Sequence, residues 1–102
     1  MSKKKKLRIY KTGETEDKRD VYSGIFKFYD SLGFPLSMTY LILKNKNIQI
    51  DWFNFIENAK NNGWKKETTL SRIKDAINDC EDFKYWEKFE KKLIAVVKEI
   101  YD

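Results

Sequence analysis

Residues 51–77 read DWFNFIENAKNNGWKKETTLSRIKDAI, and this stretch decides the fold class. Asp51 is a good N-cap, because its carboxylate can accept a bond from an amide of the next turn. Trp52, Phe55, Ile56 and Ala59 then fall on one face of a helix. Gly63 ends that helix, and Trp64 is placed to fold back over Ala59, as the hydrophobic contact of a Schellman cap does. A second helix is expected from about Lys66–Thr68 to about Cys80, with Leu70, Ile73, Ala76 and Ile77 as its apolar stripe.

The same periodicity extends in both directions. Towards the N-terminus, Val21, Ile25, Tyr29 and Leu32 recur at helical spacing with Tyr22 and Phe26 beside them, and Gly33 stops the run. Pro35 opens a helix to about Lys44, whose stripe of Leu36, Tyr40 and Leu43 is widened by Met38, Leu41 and Ile42. So wide a stripe predicts burial over much of the circumference. Asn45–Asn47 is a turn, and Ile48-Gln49-Ile50 can be extended. Towards the C-terminus, a helix starting near Asp82 carries Trp86, Phe89, Leu93, Val96 and Ile100 at alternating three- and four-residue spacing. That seam either packs on the bundle or pairs with a second copy, so the chain is expected to be a monomer or a homodimer through its C-terminal helix. The fold class predicted is all-α, a small bundle of four to five helices. Leu7-Arg8-Ile9-Tyr10 adds a short N-terminal strand or extended arm.

Length and charge organise the rest. The 102 residues suit one domain, and the 16% aromatic content supplies a core. Lys3, Lys4, Lys5, Lys6, Arg8 and Lys11 give residues 1–11 a charge of +6 with no acid, which leaves −1 on the remainder. Residues 1–20 read as a basic flexible arm followed by the polar linker TGETEDKRD (12–20), and 21–102 as the helical domain. Such an arm can hold phosphates without sequence preference, or serve only as a solubilising terminus. No apolar run is long enough for a membrane span or a signal peptide, so the expected location is cytoplasmic.

Catalytic chemistry is poorly supplied. The absence of histidine removes the commonest general base and metal ligand. Cys80 has no cysteine partner, and its acidic neighbours Asp79, Glu81 and Asp82 should raise its thiol pKa. Gly13, Gly24, Gly33 and Gly63 stand too far apart for a phosphate loop. No catalytic residue, metal or cofactor is expected, and the chain reads as a non-enzymatic binding protein.

The stretch from Phe55 to Ile77 resembles a helix-turn-helix DNA-binding motif. Ala59 occupies the small position where the two helices approach, Gly63 matches the glycine that begins the turn, and Thr69-Leu70-Ser71-Arg72-Ile73 is similar to the TVSRV-type string of many recognition helices. The family places apolar residues six and nine positions after the glycine. Here those positions hold Thr69 and Arg72, with Leu70 and Ile73 one residue later, so the turn is one residue longer.

A recognition helix must present polar side chains near its N-terminal end. Lys65, Lys66, Thr68, Thr69, Ser71 and Arg72 cluster there, and with the arm residues Lys3, Lys4, Lys5, Lys6 and Arg8 they form the expected nucleic-acid-binding set. Two partner classes follow. The first is nucleic acid, bound by a small helix-turn-helix-like module of phage or mobile-element type. The second is protein, with the chain as an inhibitor or small subunit, for example an anti-defence protein acting on a host nucleic-acid enzyme. Tyr22, Phe28, Tyr85 and Tyr101 would then serve as anchors, and Glu81, Asp82, Glu87 and Glu90 as an acidic surface.

Overall fold

The computed structural model describes residues 9–16 and 18–102. Among these residues five helices surround one core: α1 (Ile25–Leu32), α2 (Leu36–Asn45), α3 (Trp52–Asn61), α4 (Lys66–Cys80) and α5 (Phe83–Tyr101). The all-α class is nevertheless corrected, because a three-stranded sheet stands beside the helices. Strand β1 (Tyr10–Glu14) pairs antiparallel with β2 (Asp20–Ser23), and β2 pairs parallel with β3 (Ile48–Ile50). Residues expected as a polar linker therefore supply most of a hairpin. Local alternation does not specify it; partners do. Lys11 reaches Asp20 at 3.1 Å across the strands, and Asp20, Val21 and Tyr22 register with Ile48, Gln49 and Ile50. Leu7 and Arg8, also read as strand, lie outside the described residues.

Helix α1 starts at Ile25 rather than near Val21. Gly24 takes the left-handed conformation (φ 86°), which ends β2 and starts α1 in one step, and its amide donates to Asn54 Oδ1 at 3.1 Å. Val21 and Tyr22 fit the helical spacing of α1, but they are committed to strands on both sides. Asp51 then joins the sheet to α3. Its Oδ1 accepts from the Asn54 amide at 3.1 Å, while its Oδ2 accepts from Ser23 Oγ at 2.9 Å and Thr12 Oγ1 at 3.2 Å.

Helix α3 runs through the centre. Phe55, Ile56 and Ala59 have no exposed surface, and α3 packs against α1, α4, α5 and β2. The Phe26, Tyr29 and Trp64 rings close on Phe55 at one end, and Trp52 closes on it at the other. The seam on α5 is used within the chain: Trp86, Leu93 and Val97 are buried, and Phe89, Val96 and Ile100 pack on the core. Helix α2 is less buried than its stripe implied. Leu36, Tyr40 and Leu43 enter the core, but Met38, Leu41 and Ile42 are each close to half exposed.

The turn after α3 is a Schellman motif. The Gly63 amide donates to the Lys60 carbonyl at 2.9 Å and the Trp64 amide to the Ala59 carbonyl at 3.0 Å, with Gly63 at φ 89°. A Cβ on Gly63 would meet open space, so Gly63→Ala carries only the cost of the left-handed backbone, about 1–2 kcal/mol. Urea unfolding should show that loss, and Gly63→Asn should lose less.

Candidate nucleic-acid interface

The turn Asn62–Lys65 joins α3 to α4, and the expected binding residues sit at the start of α4. Their side chains do not form a single ridge. Lys65, Thr68, Ser71 and Arg72 are exposed, and Lys66 is half-buried beside the C-terminal residue Asp102 at 3.7 Å. Thr69 departs from the set. It has no exposed surface, and its Oγ1 lies 3.0 Å from the Lys65 carbonyl and 2.9 Å from the Tyr101 phenol. Tyr101 in turn donates to the Trp64 carbonyl at 2.9 Å. The end of α5 thus fastens the turn and removes Thr69 from any surface contact.

The cations differ in how free they are. Lys60 is occupied, donating to the Ile100 carbonyl at 2.9 Å with its ammonium over the Tyr101 ring. Arg72 stacks its guanidinium 5.9 Å from the Trp64 ring centre and has no carboxylate partner among the described residues, so its charge stays available. Arg72 lines a small cleft with Tyr29, Ser37 and Asp75 on the α1–α2 side. Ser71 and Lys74 line another with Leu70, Trp86 and Ile94 on the α5 side. The exposed acids Glu67 and Asp75 dilute the field on this helix. What remains is Lys65 at the turn, Arg72 and Lys74 one to two turns on, and the hydroxyls of Thr68 and Ser71 between them. The expected arm residues Lys3, Lys4, Lys5, Lys6 and Arg8 lie outside the described residues.

The sequence reading missed the cations of α5, which it took as the acidic side. Phe83–Tyr101 holds five lysines against three glutamates. The acids concentrate just before it, at Asp79, Glu81 and Asp82, and Glu81 is engaged by Tyr40 (2.8 Å) and Lys44 (2.9 Å). Burial first, then the neighbouring Tyr85 phenol and the Glu81 carboxylate, hold the Tyr40 phenol well above its ordinary range, so Tyr40 is a neutral donor to Glu81. The recurrence of lysine at 84, 88, 91 and 92 was the available signal.

Cys80 is a disfavoured nucleophile. Burial pushes its thiol up, Asp79 and Glu81 add to this and Lys44 opposes it, while Sγ donates to the Ser37 carbonyl at 3.3 Å. A raised thiol pKa leaves less thiolate at neutral pH. Iodoacetamide at pH 7.4 should therefore alkylate Cys80 several-fold more slowly than free cysteine, by mass spectrometry. Among the described residues no group of three His, Cys, Asp or Glu side chains is arranged to hold a metal ion, and no helix is long and apolar enough to cross a membrane.

Comparison with known proteins gives one recurring likeness. The chain is 31% identical over 78 residues to an alanine–tRNA ligase of Aliarcobacter butzleri, covering 74% of this chain and 9% of the ligase. It is 36% identical over 72 residues to the alanine–tRNA ligase of Ehrlichia ruminantium (67% of this chain, 8% of the ligase), and 41% identical over 46 residues to that of Sulfurimonas denitrificans (43% and 5%). The chain therefore spans less than a tenth of the length of the curated relatives it matches. No family model matches it, and no solved structure does.

Proposed function

We propose that this chain is a non-enzymatic nucleic-acid-binding module that holds structured RNA of the tRNA kind, or a duplex, on the helix-turn-helix-like unit of α3 and α4. The observation that carries this reading is the pair of exposed, carboxylate-free cations Lys65 and Arg72, set on either side of the Thr68 and Ser71 hydroxyls at the start of α4. Lysine and arginine at that end can meet phosphates, and hydroxyls and amides there can add hydrogen bonds. The likeness to segments of enzymes named for tRNA favours RNA as the first ligand to try.

Fluorescence anisotropy with an unmodified tRNA transcript and a random DNA duplex, at low salt, tests it. Binding to one or both is expected. Lys65→Ala/Arg72→Ala/Lys74→Ala should weaken it by tenfold or more with an unchanged circular-dichroism spectrum. No binding of either ligand at 50 mM salt would remove the reading.

A second reading, a protein-binding inhibitor or small subunit, is favoured by a different surface. Leu32, Phe34, Met38, Leu41 and Ile42 are each 41–46% exposed around the outer side of α2. Clustered exposed apolar side chains of this kind mark interaction surfaces. Under this reading Leu41→Lys/Ile42→Lys abolishes partner binding and leaves tRNA and duplex titrations unchanged.

A further inference from the structure

A groove of about 570 Å3 runs between the β1–β2 loop, β3 and α5, on elements other than the α3–α4 unit. Its floor is aromatic: the Tyr85 and Phe89 rings lie nearly parallel, 21° apart with centres 6.0 Å apart. Phe89 is backed by Trp52 at 6.0 Å and Trp86 at 6.3 Å, so the floor is rigid. The rim is basic, with Lys88 and Lys92 one turn apart on α5 and Arg19 opposite; Gln49 supplies an amide and Glu16 one acid. The basic rim continues along α5, where Lys84 and Lys91 border the adjoining surface with Glu87 and Glu90. From Lys84 to Lys92 the row spans about 12 Å. All four lysines are exposed, and none forms an ion pair with another described residue. A smaller cleft, sharing Phe89 and Lys92, opens beside the groove and is lined by Val21, Trp52 and Phe53. The Trp52 indole N–H is buried and has no partner among the described residues.

Lys88 and Lys92, exposed beside a half-buried ring pair, match one ligand chemistry: an anionic chain with flat, unsaturated units. We infer that this groove binds an unpaired stretch of nucleic acid, with bases received on the Tyr85–Phe89 floor and phosphates held by Lys88 and Lys92. Base–ring stacking tolerates any sequence, and a lysine row follows the backbone, which is how single strands are held without base-edge readout. Duplex does not fit, because its bases are already stacked and cannot reach the rings. Glu16 repels phosphate on the hairpin side, so the strand's backbone lies along α5. This inference goes beyond the α3–α4 proposal and stands or falls separately from it.

The test is anisotropy of a fluorescein-labelled octamer of uridylate with the full chain, beside the tRNA and duplex titrations. Lys88→Gln/Lys92→Gln is expected to weaken octamer binding at least tenfold, and Tyr85→Leu at least fivefold. The equally neutralising Lys27→Gln/Lys46→Gln, and the Lys65/Arg72/Lys74 alanine variant, should leave it within twofold. Octamer binding unchanged in Lys88→Gln/Lys92→Gln would overturn the proposal. So would inorganic polyphosphate competing as well as unlabelled octamer while Tyr85→Leu binds normally, since charge alone would then account for binding. Loss of tRNA binding in the α3–α4 variant with octamer binding retained supports both sites; both retained in that variant removes the first and keeps the second, and octamer binding lost in it overturns the groove.

Discussion

Phe55→Ala is expected to remove about 3–5 kcal/mol of stability. Phe55 has no exposed surface and meets four rings: Phe26 at 5.2 Å, Trp52 at 5.4 Å, Tyr29 at 6.1 Å and Trp64 at 6.5 Å. These rings come from α1, the start of α3 and the turn after it, so no single segment can slide in to fill the cavity. A domain of this size has about 5–15 kcal/mol in total. With a urea dependence of about 1–3 kcal/mol per molar, the midpoint should fall by more than 1 M, read by tryptophan fluorescence. Phe53, two residues earlier, is 42% exposed and serves as the control. Its replacement by alanine should cost under about 1 kcal/mol, because most of its transfer free energy was never gained. Similar midpoints for the two variants would mean that the aromatic cluster does not organise the core.

The helices were legible because their signals are local. Asp51 caps α3, Gly63 and Trp64 close it, and the stripe of Leu70, Ile73, Ala76 and Ile77 places α4. The strands were not, because what specifies them is remote in the chain. Thr12 and Asp20 look like linker residues until Asp51 accepts from Thr12 and Lys11 meets Asp20. Val21 and Tyr22 carry a helical spacing, yet their partners sit at Gln49 and Ile50. The candidate interface was legible only in part, for the same reason. Lys65, Ser71 and Arg72 are where the turn-and-helix pattern puts them, exposed at the start of α4. Thr69 is not, because Tyr101, 32 residues on, comes to rest against it. Helix periodicity tells which residues share a face; it does not tell what another element will lay over that face.

Salt dependence should be the largest effect on binding, and it separates the contributors. For a duplex, the logarithm of affinity falls with the logarithm of salt by about 0.9 for each phosphate neutralised. Lys65, Arg72 and Lys74 offer three free cations; Lys66 is drawn to Asp102 and adds less. Three contacts give a slope near −2.7, so raising salt from 50 to 200 mM should weaken binding roughly 40-fold. The five cations Lys3, Lys4, Lys5, Lys6 and Arg8 would steepen that slope to about −7 if all of them reach phosphates. Deleting residues 1–8 and substituting the α4 cations therefore predict different remainders. If α4 carries binding, the shortened chain keeps a slope near −2.7 and the alanine variant loses it. A slope that vanishes on deleting the first eight residues, and does not change when Lys65, Arg72 and Lys74 are replaced, would assign all the attraction to the terminus and leave α4 with no role in it.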